Sequence, residues 1–187
     1  MKQKYIFLDR DGVINKDGEF ITEHGYITRW EDFQFLPGVL EGIKRLTEEG
    51  YKVIVISNQK CVGKGIMSEE ELKSLTEEFS KAVEKSGGKI EKVYYCLHVD
   101  EDKCDCRKPE AGLFHKAQEE FNIDTFENKF FIGDSQRDMQ AGQRVGLKTV
   151  LVLSGKSSRK DAEAWQYKPD HICETFRDVV DLVLKGA

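Results

Sequence analysis

Five short apolar runs, at 5–8, 51–56, 92–96, 129–132 and 149–153, are spaced along the chain with helical stretches between them. Runs of this length read as buried strands, and their alternation with helices reads as parallel strands joined by crossover helices. Between the first two, Val39, Ile43 and Leu46 repeat at helical spacing and Gly50 supplies a stop. Ser68 followed by Glu71 forms a capping box for a helix running to about Ser86, where Gly87 and Gly88 end it. Further helices fit 111–121 and 137–145. The stretch 176–184 places Val179, Val180, Leu182 and Val183 on a helix that can pack back on the sheet. The pattern predicts an α/β fold, a doubly wound, mainly parallel sheet with helices on both faces.

A chain of 187 residues suits one domain, expected over 1–187, and no repeat, linker or low-complexity tract argues for a separate cap domain. With a formal charge of −5 it lacks the basic surface that nonspecific nucleic-acid binding needs, so an anionic ligand must be held by a local site. Met1-Lys2-Gln3-Lys4 leads straight into the first apolar run, which is too short for a signal peptide or a membrane span. A cytoplasmic protein with no membrane partner is expected. Three of the five cysteines crowd into 96–106 beside a histidine while Cys61 and Cys173 stand apart, a spacing that suggests metal rather than disulfides.

Two segments, 15–35 and 99–108, lack periodicity and each follows an expected strand. In an open parallel sheet the ligand crevice lies beyond the carboxyl ends of the strands, so these segments are placed to shape it. The residues at the strand ends carry chemistry. Asp9-Arg10-Asp11-Gly12 ends the first run, and a turn at Gly12 lets both carboxylates reach one crevice. Ser57-Asn58-Gln59 ends the second and offers a hydroxyl and amides to phosphate oxygens. Lys108 precedes Pro109 before a helix, and Gly133-Asp134-Ser135 follows the fourth run with Asp138 four residues beyond Asp134. Each piece alone also fits an ordinary polar loop; the joint order is far more specific.

In that order the sequence resembles the haloacid-dehalogenase phosphatases, whose four motifs match Asp9-Arg10-Asp11-Gly12, Ser57, Lys108 and Gly133-Asp134. The resemblance implies that Asp9 is a nucleophile forming an aspartyl-phosphate and that Asp11 is the general acid and then base. It also implies that Ser57 and Lys108 hold phosphate, and that Mg²⁺ sits on Asp9, Asp134 and the main-chain carbonyl of Asp11. The charges agree with these roles. A carboxylate can attack phosphorus only when the negative charge of both partners is offset, by a hard cation with oxygen ligands and by a lysine near the equatorial oxygens.

Cys96, His98, Cys104 and Cys106 supply three thiolates and an imidazole within eleven residues, a set suited to tetrahedral Zn²⁺. Four protein ligands leave no position for water, so this zinc-binding loop, 96–106, is expected to be structural and to position Lys108. Arg107 beside it could meet a second anionic group. Together with Gly25-Tyr26 and Asn58-Gln59, the loop narrows the resemblance to the D-glycero-D-manno-heptose 1,7-bisphosphate phosphatase and histidinol-phosphatase group, small capless enzymes. The stretches Lys108-Pro109-x-x-Gly112-Leu113 and Gly63-Lys64-Gly65 lean to the heptose enzymes, whereas Lys60-Cys61-Val62 and Ser135 depart from them.

That resemblance implies a phosphomonoesterase acting on a small phosphorylated metabolite, a sugar bisphosphate; a monomer is expected. It would remove the 7-phosphate in ADP- or GDP-heptose precursor synthesis, with Ser57, Asn58, Arg107 and Lys108 binding substrate. Histidinol phosphate hydrolysis is the alternative within the group. From another class, a receiver-like signalling module would share the strand-end carboxylates and lysine but have no use for Asp11, Ser57 or the zinc loop.

Overall fold

The structure is a computed structural model that describes residues 3–186. Met1, Lys2 and Ala187, the ends of the expected domain, lie outside the described residues, so the reading of the N-terminus falls partly outside them. Six strands form one sheet: β1 (Lys4–Leu8), β2 (Tyr51–Asn58), β3 (Ile90–Cys96), β4 (Phe130–Gly133), β5 (Lys148–Val152) and β6 (His171–Cys173). Their order is β3-β2-β1-β4-β5-β6 and every pair is parallel.

Strands buried on both faces need apolar residues at every position. In β1, Ile6 and Leu8 face a core built with α1 (Val39–Glu48), α3 (Glu69–Lys85) and α7 (Phe176–Leu184). Tyr5 and Phe7 face the opposite core, formed with α4 (Gly112–Glu120) and α5 (Gln136–Arg144). The predicted capping box opens α3: the Ser68 N–H donates to Glu71 Oε2 at 2.7 Å and the Glu71 N–H to Ser68 Oγ at 3.1 Å. Helices thus cover both faces of a parallel sheet, as the alternation predicted. Among the described residues no helix is long and apolar enough to cross a membrane.

The strand order positions the site. From β1 the chain moves outward to β2 and β3, then returns to place β4 on the other side of β1. Such a reversal opens a crevice at the carboxyl ends of the two central strands. Asp9 follows β1 and Asp134 follows β4.

Three short elements were not legible: α2 (Lys60–Gly63), α6 (Arg159–Ala164) and β6. None is long enough to show a period. Strand β2 also runs further than its apolar run, because Ser57 and Asn58 continue to pair with Tyr95 and Cys96. The segment 15–35 holds two short 3-10 turns and no separate domain. It is anchored by aromatics: Phe33 stacks on Phe79 of α3 at 5.3 Å, with Trp30 and Phe35 against Phe33.

Candidate active site

At the crevice a single buried ammonium holds the strand ends together. Lys108 Nζ lies 3.0 Å from Asp9 Oδ1 and 2.7 Å from Asp138 Oδ1, and it donates to the Ile56 carbonyl at 2.9 Å. Burial opposes its charge, but the carboxylates of Asp138 and Asp9 outweigh that and raise its pKa. Its main chain is gripped by Asn58: the Lys108 N–H donates to Asn58 Oδ1 and Asn58 Nδ2 donates to the Lys108 carbonyl, each at 3.0 Å.

Carboxylate oxygens of Asp9, Asp134 and Asp138 lie within 4.8 Å of one another. Burial pushes the Asp9 pKa up to about 6, against the pull of Lys108 and with the help of Asp138 and Asp11. Burial likewise raises Asp134, reinforced by the charges of Asp138 and Asp9. One lysine does not balance three carboxylates, and the oxygen-only donor set suits a hard divalent cation such as Mg²⁺. Asp134 has no room to turn away. A Cβ on either Gly12 or Gly155 would collide with its side chain, and the Lys156 N–H donates to its Oδ2 at 3.0 Å.

Asp11 sits beside this group in a cage of donors. Arg10, fully buried, reaches its two oxygens at 2.9–3.2 Å, Asn15 Nδ2 reaches Oδ1 at 2.8 Å and Gln59 Nε2 reaches Oδ2 at 2.7 Å. Burial disfavours the ionised form, yet Arg10 and these hydrogen bonds prevail and hold Asp11 below the usual carboxylate range. Ser57 Oγ accepts from the same Gln59 nitrogen at 3.0 Å.

The cysteine loop folds into a second cluster. Sγ atoms of Cys96, Cys104 and Cys106 stand 3.2–3.7 Å apart, with His98 Nδ1 3.2 Å from Cys106 and 3.8 Å from Cys96. A tetrahedral zinc site with bonds of about 2.3 Å sets sulfurs about 3.8 Å apart, so these four side chains can hold such an ion. Without a cation the sulfurs cannot all ionise. Burial and its two neighbouring cysteines push Cys106 up, while hydrogen bonds overcome burial to bring Cys104 down to about 7.

The cleft above the carboxylates has a volume of about 840 Å³ and is lined by Asp9, Asp11, Ser57, Asn58, Arg107, Lys108 and Asp134. Lys60, Arg107 and Arg137 line the cleft and converge on Asp100: Arg107 Nε at 2.8 Å, Arg137 Nη1 at 3.6 Å and Lys60 Nζ at 3.8 Å. A third wall, beyond the segments 15–35 and 99–108 expected to shape the cleft, comes from the loop after β5. Lys156 crosses from this loop to Asp17 at 3.0 Å.

Residues of all four motifs therefore line one cleft, with Asp9, Asp134 and Asp138 grouped in it, and Cys96, His98, Cys104 and Cys106 form a second group. Asn58 lines the cleft, and its amide oxygen and one of its two amide hydrogens are engaged with the Lys108 backbone. Asp138, noted four residues beyond Asp134 but given no role, lies in the first turn of α5 and meets Lys108. Arg10 and Gln59 lie inside the quoted motifs, but no local pattern assigned them to Asp11 or to Ser57.

Comparison with known proteins agrees with this geometry. Residues 105–179 match a family model described as "HAD-hyrolase-like". The D-glycero-beta-D-manno-heptose-1,7-bisphosphate 7-phosphatase of Haemophilus ducreyi is 36% identical over 98% of this chain and 100% of its own. The D-glycero-alpha-D-manno-heptose-1,7-bisphosphate 7-phosphatase of Campylobacter jejuni is 36% identical over 86% of this chain and 88% of its own. A crystal structure of D,D-heptose 1,7-bisphosphate phosphatase from B. bronchiseptica, complexed with magnesium and phosphate, superposes with a TM-score of 0.88. It is 28% identical and covers 98% of this chain and 99% of that one. The chain is a phosphoric monoester hydrolase of the haloacid-dehalogenase type and belongs to the family of heptose-1,7-bisphosphate 7-phosphatases.

Proposed function

We propose that the protein removes the 7-phosphate of D-glycero-D-manno-heptose 1,7-bisphosphate through an aspartyl-phosphate on Asp9, in ADP- or GDP-heptose precursor synthesis. The observation that carries this reading is Lys108, locked between Asp9 and Asp138 where β1 and β4 end. Asp9 attacks phosphorus, the P–O bond to the sugar breaks, and the leaving oxygen takes a proton from Asp11. Water then attacks the phosphoryl group, gives its proton to Asp11 and releases Asp9 and inorganic phosphate. The ionised state in which Arg10 holds Asp11 is the one that accepts this proton; the first step uses its protonated state.

Asp9, Asp134 and the Asp11 main-chain carbonyl would hold Mg²⁺, which supplies charge neutralisation when bound. Ser57 and Lys108 hold the transferring phosphoryl oxygens, and Asn58 acts by fixing Lys108. Arg107, with Lys60 and Arg137, meets the second phosphate. Those three cations favour a bisphosphate over histidinol phosphate, which carries one phosphate.

Cys96, His98, Cys104 and Cys106 bind a structural Zn²⁺, consistent with free thiols in a reducing cytoplasm. The protein is read as a monomer built as a single domain over 1–187. The test is phosphate release across heptose 1,7-bisphosphate anomers, other sugar phosphates and histidinol phosphate. Preference for a heptose bisphosphate is expected; preference for histidinol phosphate overturns the substrate assignment, and absence of turnover on any ester overturns the chemistry.

A further inference from the structure

Gln59 touches three groups of the site at once. It is buried, its Oε1 accepts from Arg10 Nη2 at 3.1 Å, and its Nε2 donates to Asp11 Oδ2 at 2.7 Å and to Ser57 Oγ at 3.0 Å. The buried Cys61 thiol adds a weak contact to Oε1 at 3.6 Å.

The direction of this amide is dictated by its neighbours. A guanidinium has donors only and an ionised carboxylate has acceptors only. Turning the amide over would set its N–H groups against Arg10 and its oxygen against Asp11. The nitrogen must therefore face Ser57.

A serine hydroxyl carries one proton and two acceptor sites. Because Ser57 Oγ receives a hydrogen from Gln59, it has no reason to spend its own proton on that neighbour, and no protein acceptor takes the proton among the described residues. Ser57 is fixed at the end of β2 through its pairing with Tyr95, and it lines the cleft. We infer that Gln59 is a positioning residue that aims the Ser57 hydroxyl proton into the cleft, ready to donate to a phosphoryl oxygen. Without the amide, the hydroxyl is free to rotate and donate to a protein acceptor instead.

The inference rests on Ser57 being a phosphate holder and goes beyond it in naming what orients the hydroxyl. It is tested by calorimetric binding of inorganic phosphate to the magnesium-loaded protein and to Ser57→Ala, Gln59→Met and the double variant, with melting curves as a check on folding. A hydrogen bond to a charged group is worth about tenfold in affinity or somewhat more. Gln59→Met should weaken phosphate about tenfold, and adding it to Ser57→Ala should bring no further loss. Gln59→Asn, which withdraws the amide by one methylene while keeping its polarity, should behave like Gln59→Met and serves in its place if the latter does not fold. If Ser57→Ala alone binds phosphate normally, the assignment of Ser57 fails and the inference goes with it. If Ser57→Ala weakens binding but the Gln59 variants bind normally, or their losses multiply with that of Ser57→Ala, the assignment stands and the inference is overturned.

Discussion

Asn58 and Lys108, fifty residues apart, are joined by two reciprocal hydrogen bonds, each 3.0 Å long, between one side-chain amide and one peptide backbone. The end of β2 therefore sets where the ammonium of Lys108 begins its reach. Asn58→Ala should leave the fold intact and lower kcat/KM by about 10–10²-fold, as a displacement of about 1 Å in a positioning group does. Lys108→Ala, which removes the charge itself, should lose more. Steady-state kinetics on the two variants checks the order; an Asn58→Ala enzyme with native kinetics would show that the grip is dispensable.

The crowding of Asp9, Asp134 and Asp138 predicts a stability that depends on both pH and cation. With its folded pKa raised to about 6, Asp9 stabilises the metal-free fold in its protonated form, and that contribution is lost as pH rises through about 6. Asp134 is shifted in the same direction. Asp11 is shifted downward, so its contribution is lost only at more acidic pH. In chelator the melting temperature should fall between about pH 4 and pH 6–7, and the rise caused by Mg²⁺ should be larger at pH 7 than at pH 5. A magnesium-induced rise that is the same at both values contradicts this.

Asp9→Asn should abolish turnover, since no neighbour can replace a covalent nucleophile, while the metal-free variant melts no lower than the parent because one buried charge has gone. Asp11→Asn should retain its place among Asn15, Gln59 and Arg10 yet lose about 10²–10⁴-fold in kcat, the usual worth of a general acid–base. Stopped-flow and steady-state phosphate release measure both. Substantial turnover by pure Asp9→Asn would sink the nucleophile assignment.

The two proposed metals should separate by their effects. Cys104→Ser is expected to lose zinc and melt lower, because the loop regains roughly 1–2 kcal/mol of conformational entropy per freed residue. Arg107 is tied to the same loop through the His98 carbonyl at 3.4 Å and through Asp100. Both Cys104→Ser and Arg107→Ala should therefore raise KM for a sugar bisphosphate by about tenfold while affecting a small generic ester much less. Metal analysis, melting curves and kinetics on the two substrates decide it.

What the sequence made legible follows from how far each signal travels along the chain. Strand runs such as 51–56 and the Ser68–Glu71 box are local, and they appear where expected. The motif residues Asp9, Ser57, Lys108 and Asp134 were legible because each sits where a strand ends or a helix begins. Gln59 and Arg10 act through contacts whose direction depends on how β1 and β2 lie side by side, which no local pattern encodes. Lys156 was hidden for a related reason: its loop follows β5 without apolar periodicity, and its place in the cleft depends on Gly155 passing close to Asp134.

Asp138 divides its carboxylate between two tasks. One oxygen accepts the Lys108 ammonium, and the other accepts the N–H of Ser135 at 3.1 Å and its hydroxyl at 2.6 Å, closing the first turn of α5. Fraying of that turn and loss of the lysine's counter-charge are thus one event, since the carboxylate cannot leave one partner without disturbing the other. Amide hydrogen exchange at Ser135 becomes a reporter of the catalytic charge arrangement: a ligand that tightens Lys108 into place should slow exchange at that backbone position.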